Sequence, residues 1–297
     1  MRVSTSILLS VFVIFSLHST LALAGSTAAS SVVTKNTVRN TGAVAKNSRS
    51  ETTIDSDRPT KAPFKTGATL YWQLQGPIPS TLNASVIGID LEDNEFSGLI
   101  QQLQRKGKSV ICYLSAGSYE DWRSDSRQFK PSDLGFPLGN WPGEYHLDIR
   151  SDNVRQIMRS RIDRAAMAGC DAIEPDNTDI YQYNNGFGLS EKDQIDYLLF
   201  LADYAHSQGL SIGLKNTVDL ISSANLAEVF DWSLNESCYA YNECDALKPF
   251  TDRNKAVFIA MYSTKHKSDL CDSAKRNRFH LAFYNQALDG TNYSTCD

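Results

Sequence analysis

From Gly67 onward the chain alternates short apolar stretches with longer amphipathic ones, and that alternation restricts the fold more than any other feature. The pattern predicts eight strands, over residues 69–74, 86–90, 109–115, 171–176, 211–215, 232–235, 256–262 and 280–284. Helices are expected between them over 96–106, 153–168, 191–208, 218–230 and 265–277. Within 153–168 the apolar residues Val154, Ile157, Met158, Ile162 and Ala165 fall on one helical stripe. Gly107, Gly169 and Gly209 each stand between a helix and the next strand, where glycine ends helices. Strands alternating with helices build a parallel sheet, and eight repeats predict an α/β fold, a TIM-type (β/α)8 barrel in a single domain. A doubly wound open sheet is the alternative, but no glycine-rich phosphate loop follows the first strand. The link 75–85 carries Pro77 and Pro79 and is too short for a full helix. The insertion 116–152, with Trp122, Phe129, Phe136 and Trp141, is expected over the barrel mouth.

In such a barrel the last residues of each strand line the mouth. Here they are Trp72 and Gln73; Asp90; Tyr113 and Ser115, with Tyr119 beyond; Glu174, Asp176 and Asn177; Lys215 and Asn216; Asn235 and Glu236; and Tyr262. One acid-rich strand end alone reads more readily as a solvated turn. Polar groups at the same end of strand after strand read as a site. Separate carboxylates among aromatics and amides suit glycoside hydrolysis, which needs one acid for the leaving oxygen and a second carboxylate as nucleophile or base. Asp176 and Glu236 can face each other across the mouth; Glu174 and Asp90 compete with them, and Glu174 shares a face with Asp176. Lys215 reads either as a Schiff-base amine or as an ion-pair partner for Glu174 or Asp176, and the surrounding acids favour the ion pair.

Arg2, an apolar run over 7–17 and Ala22-Leu23-Ala24 predict a secretory signal peptide, residues 1–24. The run is too short and too interrupted, by Ser10, Ser16 and His18, to span a membrane. The protein is therefore expected to be secreted, free of the membrane and monomeric. Residues 25–66 lack a periodic apolar pattern and predict a disordered Ser/Thr-rich linker or pro-segment, leaving 67–297 as the folded domain. This linker holds seven Lys/Arg and three Asp/Glu; with Arg2 also set aside, 21 basic and 31 acidic residues remain, a net charge of −10. Such acidity favours cationic ligands and argues against nucleic acid. Cys238 with Cys244 and Cys271 with Cys296 are the preferred disulfides, while Cys112 and Cys170 read as buried thiols. No metal or other cofactor is expected, since the histidines are scattered singly. Sequons at Asn83, Asn235 and Asn292 allow glycosylation in a eukaryotic host.

Several strings then resemble one known family, the endo-α-1,4-polygalactosaminidases of glycoside hydrolase family 114. They are Trp72-Gln73-Leu74-Gln75-Gly76, Ile89-Asp90-Leu91, Val110-Ile111-Cys112-Tyr113 with the run from Ser115 to Arg123, and Gly139 to Glu144 followed by Leu147-Asp148-Ile149-Arg150. Gly169-Cys170-Asp171, Glu174-Pro175-Asp176-Asn177, Gly213-Leu214-Lys215-Asn216 and Asn235-Glu236 with Cys238 and Cys244 continue the likeness. The resemblance covers residues 67–263. It implies a barrel that cuts α-1,4-linked galactosamine polymers internally, with Asp176 as nucleophile and Glu236 as acid/base. Substrate contacts are then expected from Trp72, Gln73, Asp90, Tyr113, Ser115, Tyr119, Asp148, Glu174, Asn177, Lys215, Asn216 and Tyr262. A cationic, galactosamine-containing polysaccharide also suits the acidic domain. Asn235, expected inside the barrel beside Glu236, should escape glycosylation. The alternatives are a secreted carbohydrate-binding barrel without activity and a Schiff-base lyase using Lys215.

Overall fold

The computed structural model describes residues 64–296; the expected signal peptide and most of the expected linker lie outside the described residues. Phe64, assigned above to the linker, is already docked: it is buried and packs on Trp232 and Phe258. Among the described residues there are twelve strands: β1 Leu70–Trp72, β2 Val86–Asp90, β3 Ser109–Ser115, β4 Ser118–Glu120, β5 Leu134–Pro137, β6 Glu144–Leu147, β7 Ala172–Asp176, β8 Ser211–Lys215, β9 Trp232–Glu236, β10 Val257–Met261, β11 His280–Phe283 and β12 Ser294–Thr295. Nine form one curled sheet in the order β1-β2-β3-β7-β8-β9-β10-β11-β12, parallel throughout except for the last pair. Its eight parallel members are the eight expected strands, and the fold is the (β/α)8-type barrel. At the seam, the Tyr284 and Tyr293 hydroxyls donate to the Leu70 carbonyl, and Leu74 and Gln75 donate to that of Leu288.

Alternation along the strands creates two cores. Trp72, Val86, Ile111, Ala172, Trp232, Leu234 and Phe258 fill the barrel. Their neighbours Ile87, Ile89, Val110, Leu114, Ile173, Ile212 and Leu214 turn outward under the helices. Gly213 faces inward against Trp232, and a Cβ there would come within 2.4 Å of the indole, so only glycine leaves the ring its space.

The described α-helices are α1 Leu91–Asn94, α2 Leu99–Arg105, α3 Asp152–Ala168, α4 Glu191–Ser207, α5 Leu220–Ser223, α6 Leu226–Val229, α7 Cys238–Tyr241, α8 Lys248–Asp252 and α9 Lys267–Asn277. The long ones begin and end where capping residues stand. Ser151 caps α3 through a bond from the Val154 amide, Ser190 and Asp193 cap α4 reciprocally, and α3 stops at Gly169. The single helix expected over 218–230 is instead the pair α5 and α6, broken at Asn225, which takes a left-handed backbone (φ 52°). Residues 75–85 carry no helix, as their prolines predict. Among the described residues no helix is long and apolar enough to cross a membrane.

Cys238–Cys244 and Cys271–Cys296 are disulfides, as preferred above. Cys112 and Cys170 are not free thiols: they join β3 to the residue leading into β7. The two strands are sheet neighbours although 58 residues separate the cysteines. Closing a loop of that length stabilises by about 4 kcal/mol on the chain-entropy account. A Cys112→Ala/Cys170→Ala variant is expected to lose about that much in urea denaturation, and an unchanged midpoint would contradict it.

Candidate active site

Period-two alternation puts Glu174 and Asp176 of β7, Lys215 of β8 and Glu236 of β9 on the inner face at the mouth, on three adjacent strands. The Lys215 ammonium lies 2.8 Å from Glu174 Oε1, 3.0 Å from Asp176 Oδ1 and 3.4 Å from Glu236 Oε2. It also sits over the Trp72 indole, 4.7 Å from the ring centroid. Lys215 is only 2% exposed. Burial works against its charge, but Asp176, Glu174 and Glu236 together hold it well above the ordinary lysine range. An amine so firmly protonated is a poor Schiff-base nucleophile, and its geometry is that of an ion-pair hub.

Asp176 and Glu236 are held by further donors. Tyr113, kept protonated by burial and by Asp176, donates to Asp176 Oδ2 at 3.1 Å. Tyr262 donates to Glu236 Oε1, and Asn216 accepts from the Glu236 amide at 2.9 Å while its own amide nitrogen faces Oε2 at 3.4 Å. Burial and the Glu236 carboxylate push the Tyr262 hydroxyl far above its ordinary range, so it remains a donor. Burial pushes Glu174 up to about 7, against the pull of Lys215. Its Oε2 has no hydrogen-bond partner among the described residues.

The residues just after β7, β8 and β9 share a backbone device: Asn177, Asn216 and Ser237 all have positive φ, of 59°, 50° and 64°. This left-handed turn takes the chain off each strand directly after its acid or lysine, and asparagine tolerates it better than most residues. The Asn177 amide then bonds the hydroxyls of Ser115 and Ser118 at 3.2 and 3.1 Å, tying the β7 end to the insertion. Gly117 makes that approach possible, because any Cβ there would overlap the Asn177 carbonyl.

The insertion forms the second sheet, antiparallel in the order β4-β6-β5. Ser118, Glu120, Glu144 and His146 share one face of it, since Ser118 pairs with His146 and Glu120 with Glu144. The Ser118 hydroxyl donates to Glu144 at 2.8 Å. Burial first, then Glu120 and Asp176, push Glu144 up to about 7. Asp179, beyond the end of β7, is pushed up to about 6 by burial and by Asp176. Neither Glu144 nor Asp179 stood out in the sequence. Glu144 had a signal, its i, i+2 spacing from His146 in a short strand; Asp179 sits in an irregular loop and had none.

Four expected contact residues are not brought to the carboxylates. Gln73 faces away, bonded to the carbonyls of Gln75 and Pro77 and to the Tyr71 hydroxyl. Tyr119 is on the insertion's other face, packed on Phe129 and Tyr145. Asp148 pairs with Arg150, and Asp90 caps α1 and pairs with Arg123 at 2.8 Å. Trp72, Tyr113, Ser115, Asn177, Asn216 and Tyr262 do gather around Glu174, Asp176, Lys215 and Glu236. Asn235 is buried, but on the outward side of β9, where its amide reaches Glu243, and not inside the barrel as expected. Asn83 and Asn292 are exposed.

A parallel eight-stranded barrel with carboxylates clustered at the strand ends is the architecture of a glycoside hydrolase. The chain belongs to glycoside-hydrolase family GH114, whose family model matches residues 50–297. It is similar to the crystal structure of Aspergillus fumigatus Ega3 in complex with galactosamine: 39% identity, TM-score 0.75, 80% of this chain and 98% of that one. The glycoside hydrolase domain of PelA from Pseudomonas aeruginosa shares the fold at 12% identity, with a TM-score of 0.58 over 78% of this chain and 98% of that one. An uncharacterized protein of Methanocaldococcus jannaschii, MJ1477, is 26% identical over 117 residues, 37% of this chain. The match spans about a third of that protein's length, 34%.

Proposed function

We propose that this protein is a secreted hydrolase that cuts α-1,4-linked galactosamine polymers internally, with Asp176 as nucleophile and Glu236 as acid/base. The observation that carries the reading is the shared ammonium. Lys215 contacts an oxygen of each acid, at 3.0 and 3.4 Å, so those two oxygens are at most about 6.4 Å apart and both acids can reach one glycosidic bond. Lys215 and Tyr113 orient Asp176 toward an anomeric carbon, while Glu236, with the longest contact to Lys215, protonates the departing oxygen. A covalent glycosyl ester on Asp176 is then hydrolysed by water that Glu236 activates as a base. The likeness to the galactosamine complex of Ega3 and the acidity of the domain support an aminosugar polymer. Three disulfides support an oxidising, extracellular setting.

The purified protein, incubated with de-N-acetylated galactosaminogalactan, is expected to release oligomers of mixed length. Their newly formed reducing ends should appear first in the α configuration by proton NMR. No oligomers would sink the substrate reading; initial β ends would sink the double-displacement reading alone.

A further inference from the structure

We propose that Trp122 and Trp141 form a remote platform for distal units of the polysaccharide, a part of the binding track that the catalytic cluster does not reach. This inference rests on the polymer reading above and adds where a long chain is gripped. The insertion's sheet is a ramp with one end at the cluster. There Ser118 accepts from Asn177, the residue after Asp176, at 3.1 Å. At the other end the Asp121 amide donates to the Gly143 carbonyl and the Glu144 amide to that of Trp141, so Trp122 follows directly on the residue bonded to the β5–β6 turn that holds Trp141. Arg123 and Ser124 pin this end above the end of β2, through Asp90 at 2.8 Å and Glu92 at 2.9 Å. A strand advances about 3.3 Å per residue, which puts Trp122 at most about 13 Å from Ser118.

Both indoles are half exposed, at 54% and 56%. Tyr183 and Tyr241 are exposed as well; Tyr183 stacks on His146 of the ramp, and Tyr241 ends α7, just beyond Glu236. Four large rings standing in water around one site are unusual for a surface with nothing to bind. Aromatic faces pack against the apolar faces of sugar rings. The occupant is thus the same polymer, because the ramp is continuous with the catalytic cluster.

The test uses galactosamine oligomers fractionated by length and Asp176→Asn protein, which would bind without cutting, followed by calorimetry. The parent's affinity should rise with length. Adding Trp122→Ala and Trp141→Ala should remove about tenfold of affinity for long oligomers and leave short ones unchanged. If the triple variant tracks the parent at every length, the platform is wrong. An equal loss at all lengths would mean the tryptophans support the fold instead, and also overturns it. If the parent binds no oligomer of any length, the substrate reading has failed and the platform's occupant with it.

Discussion

Asp176→Asn is expected to lower polymer hydrolysis on the order of 10⁴-fold or more, because the amide keeps the shape but cannot form the glycosyl ester. The fold should survive, since Lys215 retains Glu174 and Glu236 as partners. Glu236→Gln should lower it by about 10²–10⁴-fold, the usual size of a lost general acid/base. The two variants differ in a second respect. An activated aryl leaving group needs little protonation, so it should recover much of the first step in Glu236→Gln and none in Asp176→Asn. Equal recovery in both variants, or full polymer cleavage by either, would contradict the assigned roles.

Lys215→Met should be the most destabilising single change at the mouth. The ammonium is buried and neutralises part of a group of three carboxylates, and removing one partner of a buried ion pair costs about 3–5 kcal/mol. The sign of the pH dependence follows from the direction of the shift. Lys215 is raised in the fold, so its contribution is fully present below the unfolded lysine value of about 10.4 and is lost only as the pH rises through the higher folded value. Between pH 4.5 and 7.5 the titration of Lys215 itself therefore adds no pH dependence, whereas Glu174, pushed up to about 7, titrates within that range. In the variant the abandoned carboxylates take up protons as the pH falls, so its deficit should shrink toward pH 4.5. Urea midpoints at the two pH values check this; a variant as stable as wild type at pH 7.5 would show that Lys215 is not the hub.

All eight barrel strands were legible because their apolar runs are bounded by helix stops and caps, as at Gly169 and Ser190. β1 is shorter than expected because Gln73 and Leu74 turn to the loops at the seam. The same alternation makes Glu174 and Asp176 inward neighbours, and the surplus of acids around it makes Lys215 their counterion. What stayed hidden depends on chain segments meeting from a distance. Cys112 and Cys170 each look like core residues; only the pairing of β3 with β7 across the long insertion brings them together. Asp179 and Glu144 gain their raised values from burial created when loops fold over the mouth. Asn235 was assigned to the inside by its nearness to Glu236, yet adjacent strand residues face opposite ways, and the inward one is Glu236.

The most direct measurement is mass spectrometry of Glu236→Gln protein quenched during reaction with a galactosaminide bearing an activated leaving group. A glycosyl adduct on the peptide containing Asp176, absent from the Asp176→Asn/Glu236→Gln double variant, is the result this mechanism predicts. Turnover with no adduct, or an adduct on another carboxylate such as Glu174, would contradict it.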